Sequence, residues 1–313
     1  MPRKPSLMLV AAALLLTSPA VAQRVTPSAA GTSLSVTAIP PTRLYTEPAV
    51  YLLLKLPGDT ATVRYTPGSL DRAAHLQTRL ELAARSFKRW VDLELEVTLY
   101  LLNRDEWRQA GYDVPYGVPV RVGRRGMAAP AEGDAGTVAL WSEMLRGILP
   151  AVAGSPIRGT PQQAATMILA DFVTQLLMCE IMVDEVGIAG ADAWVRGLMT
   201  HLASVDLVRR HEEVRLRDLD TMYDLLGENL GRRAFSTRDY NPDLGLRDWM
   251  WFQAQFHFGA QTIIAEEGKG SVKKMKKLRK RTSGVLNGDL LLRRYDDLNA
   301  WYYERFTSVS LRK

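Results

Sequence analysis

One segment constrains the fold of this chain more than any other. From Pro161 onward, Ala164, Ala165, Met167, Ile168, Leu169, Phe172, Val173, Leu176, Leu177, Ile181 and Met182 recur so as to cover most of a helical surface. A helix that is apolar nearly all round must be enclosed by other elements, so the spacing predicts a central helix. Its few polar residues then carry information. Asp171 and Gln175 lie four apart and therefore on one face, and Glu180 interrupts the apolar surface a turn further on. Buried polar groups are nearly always hydrogen-bonded, so the simplest expectation for Asp171 and Gln175 is a satisfied polar pair inside the helical core.

The rest of the chain can supply the enclosure, since 47% of its 313 residues are hydrophobic and 24% charged. A single cysteine, Cys179, excludes a disulfide framework and a cysteine-based zinc site. Its place on the apolar helix predicts a buried, inert thiol. Forty Lys and Arg against 34 Asp and Glu give a formal charge of +6, too small and too dispersed to call for a nucleic-acid partner.

Organisation begins with Arg3 and Lys4 ahead of an apolar run at residues 7–16, followed by Ala20-Val21-Ala22. This pattern predicts a cleaved signal peptide over 1–22 and a periplasmic or secreted bacterial protein, with no cysteine for lipid attachment and no transmembrane anchor after cleavage. Residues 23–48, rich in Pro, Ser, Thr and Ala, are expected to form a flexible leader. Strands are expected at 49–56 and 61–65, each closed by a Pro-Gly turn, then a helix from the N-cap candidate Ser69 to Trp90, and a strand over 93–102. The Gly- and Pro-rich stretch 103–135 reads as loop, and Gly136-Thr137-Val138-Ala139-Leu140-Trp141 as an edge strand. Beyond residue 161 the patterns are helical, with segments at 194–208, 215–226, 248–267, 271–280 and 289–306. The expected fold class is α+β, with a small mixed-sheet lobe at 49–150 packed on a mainly helical lobe at 151–313.

The central helix also carries a family resemblance. Leu169-Ala170-Asp171-Phe172-Val173-Thr174-Gln175-Leu176-Leu177 resembles the segment that reads roughly L-A-H-E-x-T-H-x-L in gluzincins, the thermolysin-like MA-clan metallopeptidases. Upstream, residues 93–102, Asp105-Glu106-Trp107, Gly126-Met127-Ala128 and 136–141 follow the order of that group's N-terminal lobe. Downstream, the segment from Trp194 to Leu202 is similar to the one that supplies the third metal ligand, with Arg196 at the ligand position. The resemblance implies a zincin-like fold over about residues 49–306.

It does not imply the chemistry. Active gluzincins hold Zn²⁺ with two His at i and i+4 and a later Glu, and use the Glu after the first His as general base. Here those positions hold Asp171, Phe172, Gln175 and Arg196. A neutral amide is a poor zinc ligand, an Arg is repelled by the metal, and Phe172 has no proton to exchange. The expectation is a pseudopeptidase without a zinc cofactor, in which an Asp171–Arg196 ion pair replaces the metal as the link between two helices. A peptidase with a non-standard site, using Asp171 with Glu180 or Glu185, is the alternative; a structural envelope protein is a third.

Other features are weaker. His75, His201, His211 and His257 share no short ligand spacing, and His211-Glu212-Glu213-Val214-Arg215 begins like a zinc signature but ends on Arg. The run containing Lys273, Lys274, Lys276, Lys277, Lys280 and Arg281 surrounds an apolar stripe of Val272, Met275 and Leu278. It predicts a helix packed on the core with a solvated basic face, or a contact with an anionic envelope component. Peptide or protein capture along Thr137, Val138, Ala139 and Leu140, as an edge strand, is the other partner expectation.

Overall fold

Alternation along one strand decides the architecture. In the computed structural model, β4 (Val97–Leu102) sends Val97, Leu99 and Leu101 into the main core and Tyr100 and Leu102 into a second, smaller one. The structure describes residues 44–49, 52–152, 159–187, 192–230, 236–241, 244–268, 270–281 and 286–307. The expected signal peptide, and the leader as far as residue 43, lie outside them.

Five further strands, β1 (Leu44–Tyr45), β2 (Leu54–Leu56), β3 (Ala61–Tyr65), β5 (Val120–Val122) and β6 (Gly126–Pro130), complete a sheet of order β1-β5-β6-β4-β3-β2. β3, β4 and β6 run parallel, with Val63 opposite Leu99 and Leu99 opposite Met127. β2 and β5 are antiparallel to their neighbours β3 and β6. α1 (Leu70–Val91) joins β3 to β4 and buries Ala73, Leu76, Leu80, Ala83 and Phe87. On the opposite face Trp107 packs edge to face against both Tyr112 and Tyr116, and its indole N–H donates to the Val114 carbonyl at 3.1 Å.

The remaining helices are α2 (Arg104–Gln109), α3 (Ala135–Ile148), α4 (Pro161–Val186), α5 (Ala193–His211), α6 (Leu216–Leu230), α7 (Leu246–Glu267), α8 (Ser271–Arg281), α9 (Gly288–Arg294) and α10 (Asp296–Tyr302). The fold class is α+β. α4 begins with Thr160 and Gln163 capping each other's backbone N–H groups and Pro161 at the first helical position, and it ends at Gly187 with φ 61°. It is long and apolar enough to cross a bilayer, yet its apolar window is wholly covered by protein, with α1, α3, α5 and β6 packed around it. Where α5 crosses α7, Gly197 admits the Phe256 ring so closely that a Cβ would lie 2.4 Å from it.

Three expectations are corrected. Leu44–Tyr45, assigned to the leader, forms β1 and pairs parallel with β5. The stretch 103–135 is not a loop: Asn103 and Glu106 form a capping box that starts α2, and β5 and β6 form a hairpin. β6, Gly-Met-Ala-Ala-Pro, is buried throughout and carries no β-branched residue; a Cβ on Gly126 would meet the Val122 carbonyl at 2.4 Å. Small residues fit a strand covered on both faces, and the same composition imitates a loop. Finally, Thr137, Val138, Ala139 and Leu140 are not an edge strand but the first turns of α3. Asp134 accepts from the Thr137 backbone N–H at 2.8 Å and starts the helix, and Trp141, Met144, Leu145 and Ile148 bury its face at helical spacing. Peptide capture by strand addition at these residues is thereby removed.

Candidate functional site

The parallel strands β3 and β6 end on the same side of the sheet, where the starts of α1, α3 and α4 converge. Crevices at the carboxyl ends of parallel strands are where α/β sheets commonly hold ligands. Here lies a cleft of about 510 Å³, walled by Ser69 just before α1, Arg72 and His75 of α1, residues 131–134 after β6, and Gln163 and Met167 of α4. Asp71 and Glu132 stand exposed at its rim. Asp134 is engaged, since it caps α3 and pairs with Arg104, which holds its carboxyl down at about 2.

Asp171 sits beneath this cleft, fully buried. Its carboxylate is surrounded by Arg72 at 2.9 Å, His75 at 3.2 Å and Arg79 at 3.7 Å. These contacts are close but poorly directed as hydrogen bonds, so Asp171 is held mainly by charge. Burial alone would raise its carboxyl; the Arg72 guanidinium, then His75 and Arg79, outweigh that and hold it at about 2. Arg79 extends the network: it donates to Gln175 Oε1 at 2.8 Å, pairs with Glu212 at 2.9 Å, and lies 5.7 Å above the ring centre of buried Phe172. Gln175 in turn donates to the Ser204 carbonyl at 3.3 Å, tying α4 to α5. Arg72 also donates through Nε to the Pro130 carbonyl at 2.9 Å, linking α1 to the end of β6.

The expected Asp171–Arg196 pair does not form. Arg196 reaches Asp184 at 3.5 Å and Glu180 at 3.7 Å instead, about two and a half to three and a half turns further along α4. Strand alternation explains the other half of this second knot. Val120 and Val122 face the smaller core, so Arg121 between them points to α4 and meets Asp184 at 2.5 Å and Glu180 at 3.4 Å. Burial raises the Glu180 carboxyl, and Arg121 and Arg196 offset this only in part. Glu185 is held by Arg124 at 2.7 Å and Arg125 at 3.0 Å. Each carboxylate considered for a non-standard metal site therefore has arginines as neighbours. Among the described residues no group of three or more His, Cys, Asp or Glu is placed to hold a metal ion.

His201 and His257 lie with ring centres 6.0 Å apart, and each histidine has its own polar partner. His211 Nε2 meets Ser86 Oγ at 2.7 Å, His201 meets Gln253 at 2.9 Å, and His257 meets Asp220 at 2.9 Å. Burial, then the neighbouring His257, lowers His201 to about 3. Burial alone pushes the Cys179 thiol up. On α8, Val272 and Met275 are buried against the core, while Lys273, Lys274, Lys277 and Lys280 are exposed and Lys276 donates to the Val91 carbonyl at the end of α1. The Arg281 side chain lies outside the described residues.

The partners of Asp171 on α1 escaped the sequence reading. The available signal was Arg79, which falls among Leu76, Leu80 and Ala83 on the apolar face of its helix, where a charge demands a buried counterpart. No protein-family model matches the chain, and comparison with curated proteins and with solved structures also returns no match.

Proposed function

We propose that this chain is an exported pseudopeptidase on a gluzincin-like scaffold, one that binds a peptide, protein or envelope component and does not cleave it. The observation that carries the reading is the occupation of Asp171. A metal drawn to that carboxylate would stand beside two guanidinium groups, which repel a cation. The positions that complete the resemblance offer a ring without an exchangeable proton at Phe172 and an amide already bonded on both sides at Gln175. The non-standard alternative meets the same obstacle at Glu180 and Glu185. The cleft above Asp171 is the proposed ligand entrance, because it combines volume, a polar floor and the convergence of helix starts.

The test is elemental mass spectrometry of the purified protein beside an Asp171→Ala variant, with hydrolysis of a peptide library run in parallel. The expected result is no stoichiometric zinc and no cleavage. Zinc at one per chain that disappears in the variant, or cleavage that does so, would sink the proposal.

A further inference from the structure

The buried carboxylates of α4 have basic partners, and so does Glu267, held by Lys274 and Arg294 at 3.1 Å each. One groove departs from this rule, where α6 and α7 meet the turn Tyr303–Thr307. Asp224 and Glu228 lie four apart on α6 and line it together, and neither has a salt-bridge or hydrogen-bond partner among the described residues. At its floor lies Gln255, 2% exposed, with Oε1 buried and unpartnered. Trp251 and Phe258 supply aromatic walls, and Gly227 keeps the groove narrow: a Cβ there would lie 3.2 Å from the Phe258 ring. The cavity measures about 320 Å³.

An unpaired acceptor shut away from water costs free energy, and two carboxylates one helical turn apart repel each other. Partial burial, then the nearby Asp220, raise the Asp224 carboxyl; His257 opposes this and Glu228 adds to it. The cation within reach, Arg305, lines the same groove, but its nearest carboxylate is Glu304 at 3.8 Å and its Nε is buried without a hydrogen bond.

We propose that this groove binds a primary alkylammonium group. The two carboxylates and Gln255 Oε1 are three acceptors for the three N–H donors of an ammonium, and the aromatic walls suit both its charge and its alkyl chain. The volume is at the small end of ligand sites, in keeping with one short chain. Arg305 acts as an internal competitor of the same charge. The inference is independent of the reading of α4.

The chemistry has two sources, a free amine or a lysine side chain, and the probes separate them. Full-chain protein is titrated calorimetrically with n-butylammonium chloride and with Nα-acetyl-lysinamide, against sodium chloride at equal ionic strength. The expected result is saturable binding of n-butylammonium that sodium does not mimic, weakened about ten-fold by Glu228→Gln and further by Asp224→Asn. Arg305→Ala is expected to tighten it. Binding of both probes marks lysine side chains as ligands; binding of n-butylammonium alone marks free amines. A response equal to that of sodium, affinity unchanged in the double Asp224→Asn, Glu228→Gln variant, or weaker binding after Arg305→Ala would overturn the proposal. The two acidic residues are exposed, so these variants are expected to fold, and thermal melts of each verify it.

Discussion

The knot at Asp171 and the groove at Asp224 and Glu228 solve the same problem in opposite ways. Both place negative charge against a hydrophobic interior. At Asp171 the chain supplies the cations itself, from one face of α1, and the carboxylate is shut away from solvent. At the groove the chain supplies acceptors, aromatic walls and an opening, and leaves the carboxylates unpaired among the described residues. A closed knot holds elements in register; an open, uncompensated one is able to exchange partners with solution. The difference teaches where to look for binding: at charge that the fold itself leaves uncompensated.

The largest expected effect breaks the knot. Asp171→Ala leaves Arg72 buried without its carboxylate partner, while Arg79 keeps Glu212, and removing one partner of a buried pair costs about 3–5 kcal/mol. Asp224→Ala removes an exposed group without partners and is expected within about 0.5 kcal/mol of the parent. Urea unfolding of the two variants measures both. Equal losses would erase the distinction between closed and open charge.

Titration sharpens the same comparison through opposite signs. The Asp171 carboxyl is depressed from 3.8 to about 2 in the folded state. Its contribution is therefore complete above its unfolded value and is lost as pH falls through the folded one, a window from roughly pH 4 to pH 2. The amount is on the order of 2 kcal/mol. Asp171→Asn should flatten that acid limb in unfolding followed by circular dichroism. Asp224 and Glu180 are raised instead, so each gains on acidification: their contributions are present below the unfolded value and fade as pH rises through the folded one. An acid limb that persists in Asp171→Asn would assign it to other carboxylates.

Smaller again is the expected cost of Arg196→Ala, at most about 1 kcal/mol, because this side chain is 34% exposed and Arg121 remains on both of its partners. The sequence alone made this residue the substitute for a metal link. What was legible and what was not follow one physical line. α1, β3 and α4 are visible because a hydrophobic period specifies them within their own residues, joined in α4 by the Thr160–Gln163 caps. β6 is hidden because enclosure on both faces selects Gly, Met and Ala, whose pattern depends on neighbours distant in the chain. α3 is ambiguous in the sequence because Thr137 to Trp141, taken alone, suits either state; the turns from Met144 to Ile148 decide it. The partners of Asp171 come from α1, 92 to 99 residues away, and the sequence shows the unusual Arg79 without saying which carboxylate it meets. Pairings across such distances are set by how α1 and α4 cross, which no local pattern encodes.

The smallest expected effect on stability, with the clearest effect on binding, concerns α8. Its lysines divide into two kinds. Lys276 donates to the Val91 carbonyl at the end of α1, so it works inside the fold as a C-terminal cap. Lys273, Lys277 and Lys280 are exposed, while Val272 and Met275 hold the helix to the core from its other side. Reversing these three to Glu should leave stability within about 0.5 kcal/mol, since no buried contact is lost. If α8 meets an anionic surface, sedimentation with vesicles containing phosphatidylglycerol should fall steeply in the variant, at about 1 kcal/mol per residue near the surface. The parent should also lose binding as salt rises from low to physiological ionic strength, where the screening length shrinks to about 8 Å. Binding that ignores both salt and charge reversal would return α8 to the role its apolar stripe already explains, a helix clamped to the core whose lysines serve only solubility. The groove at Asp224 and Glu228 lies on other elements and would be untouched by that outcome.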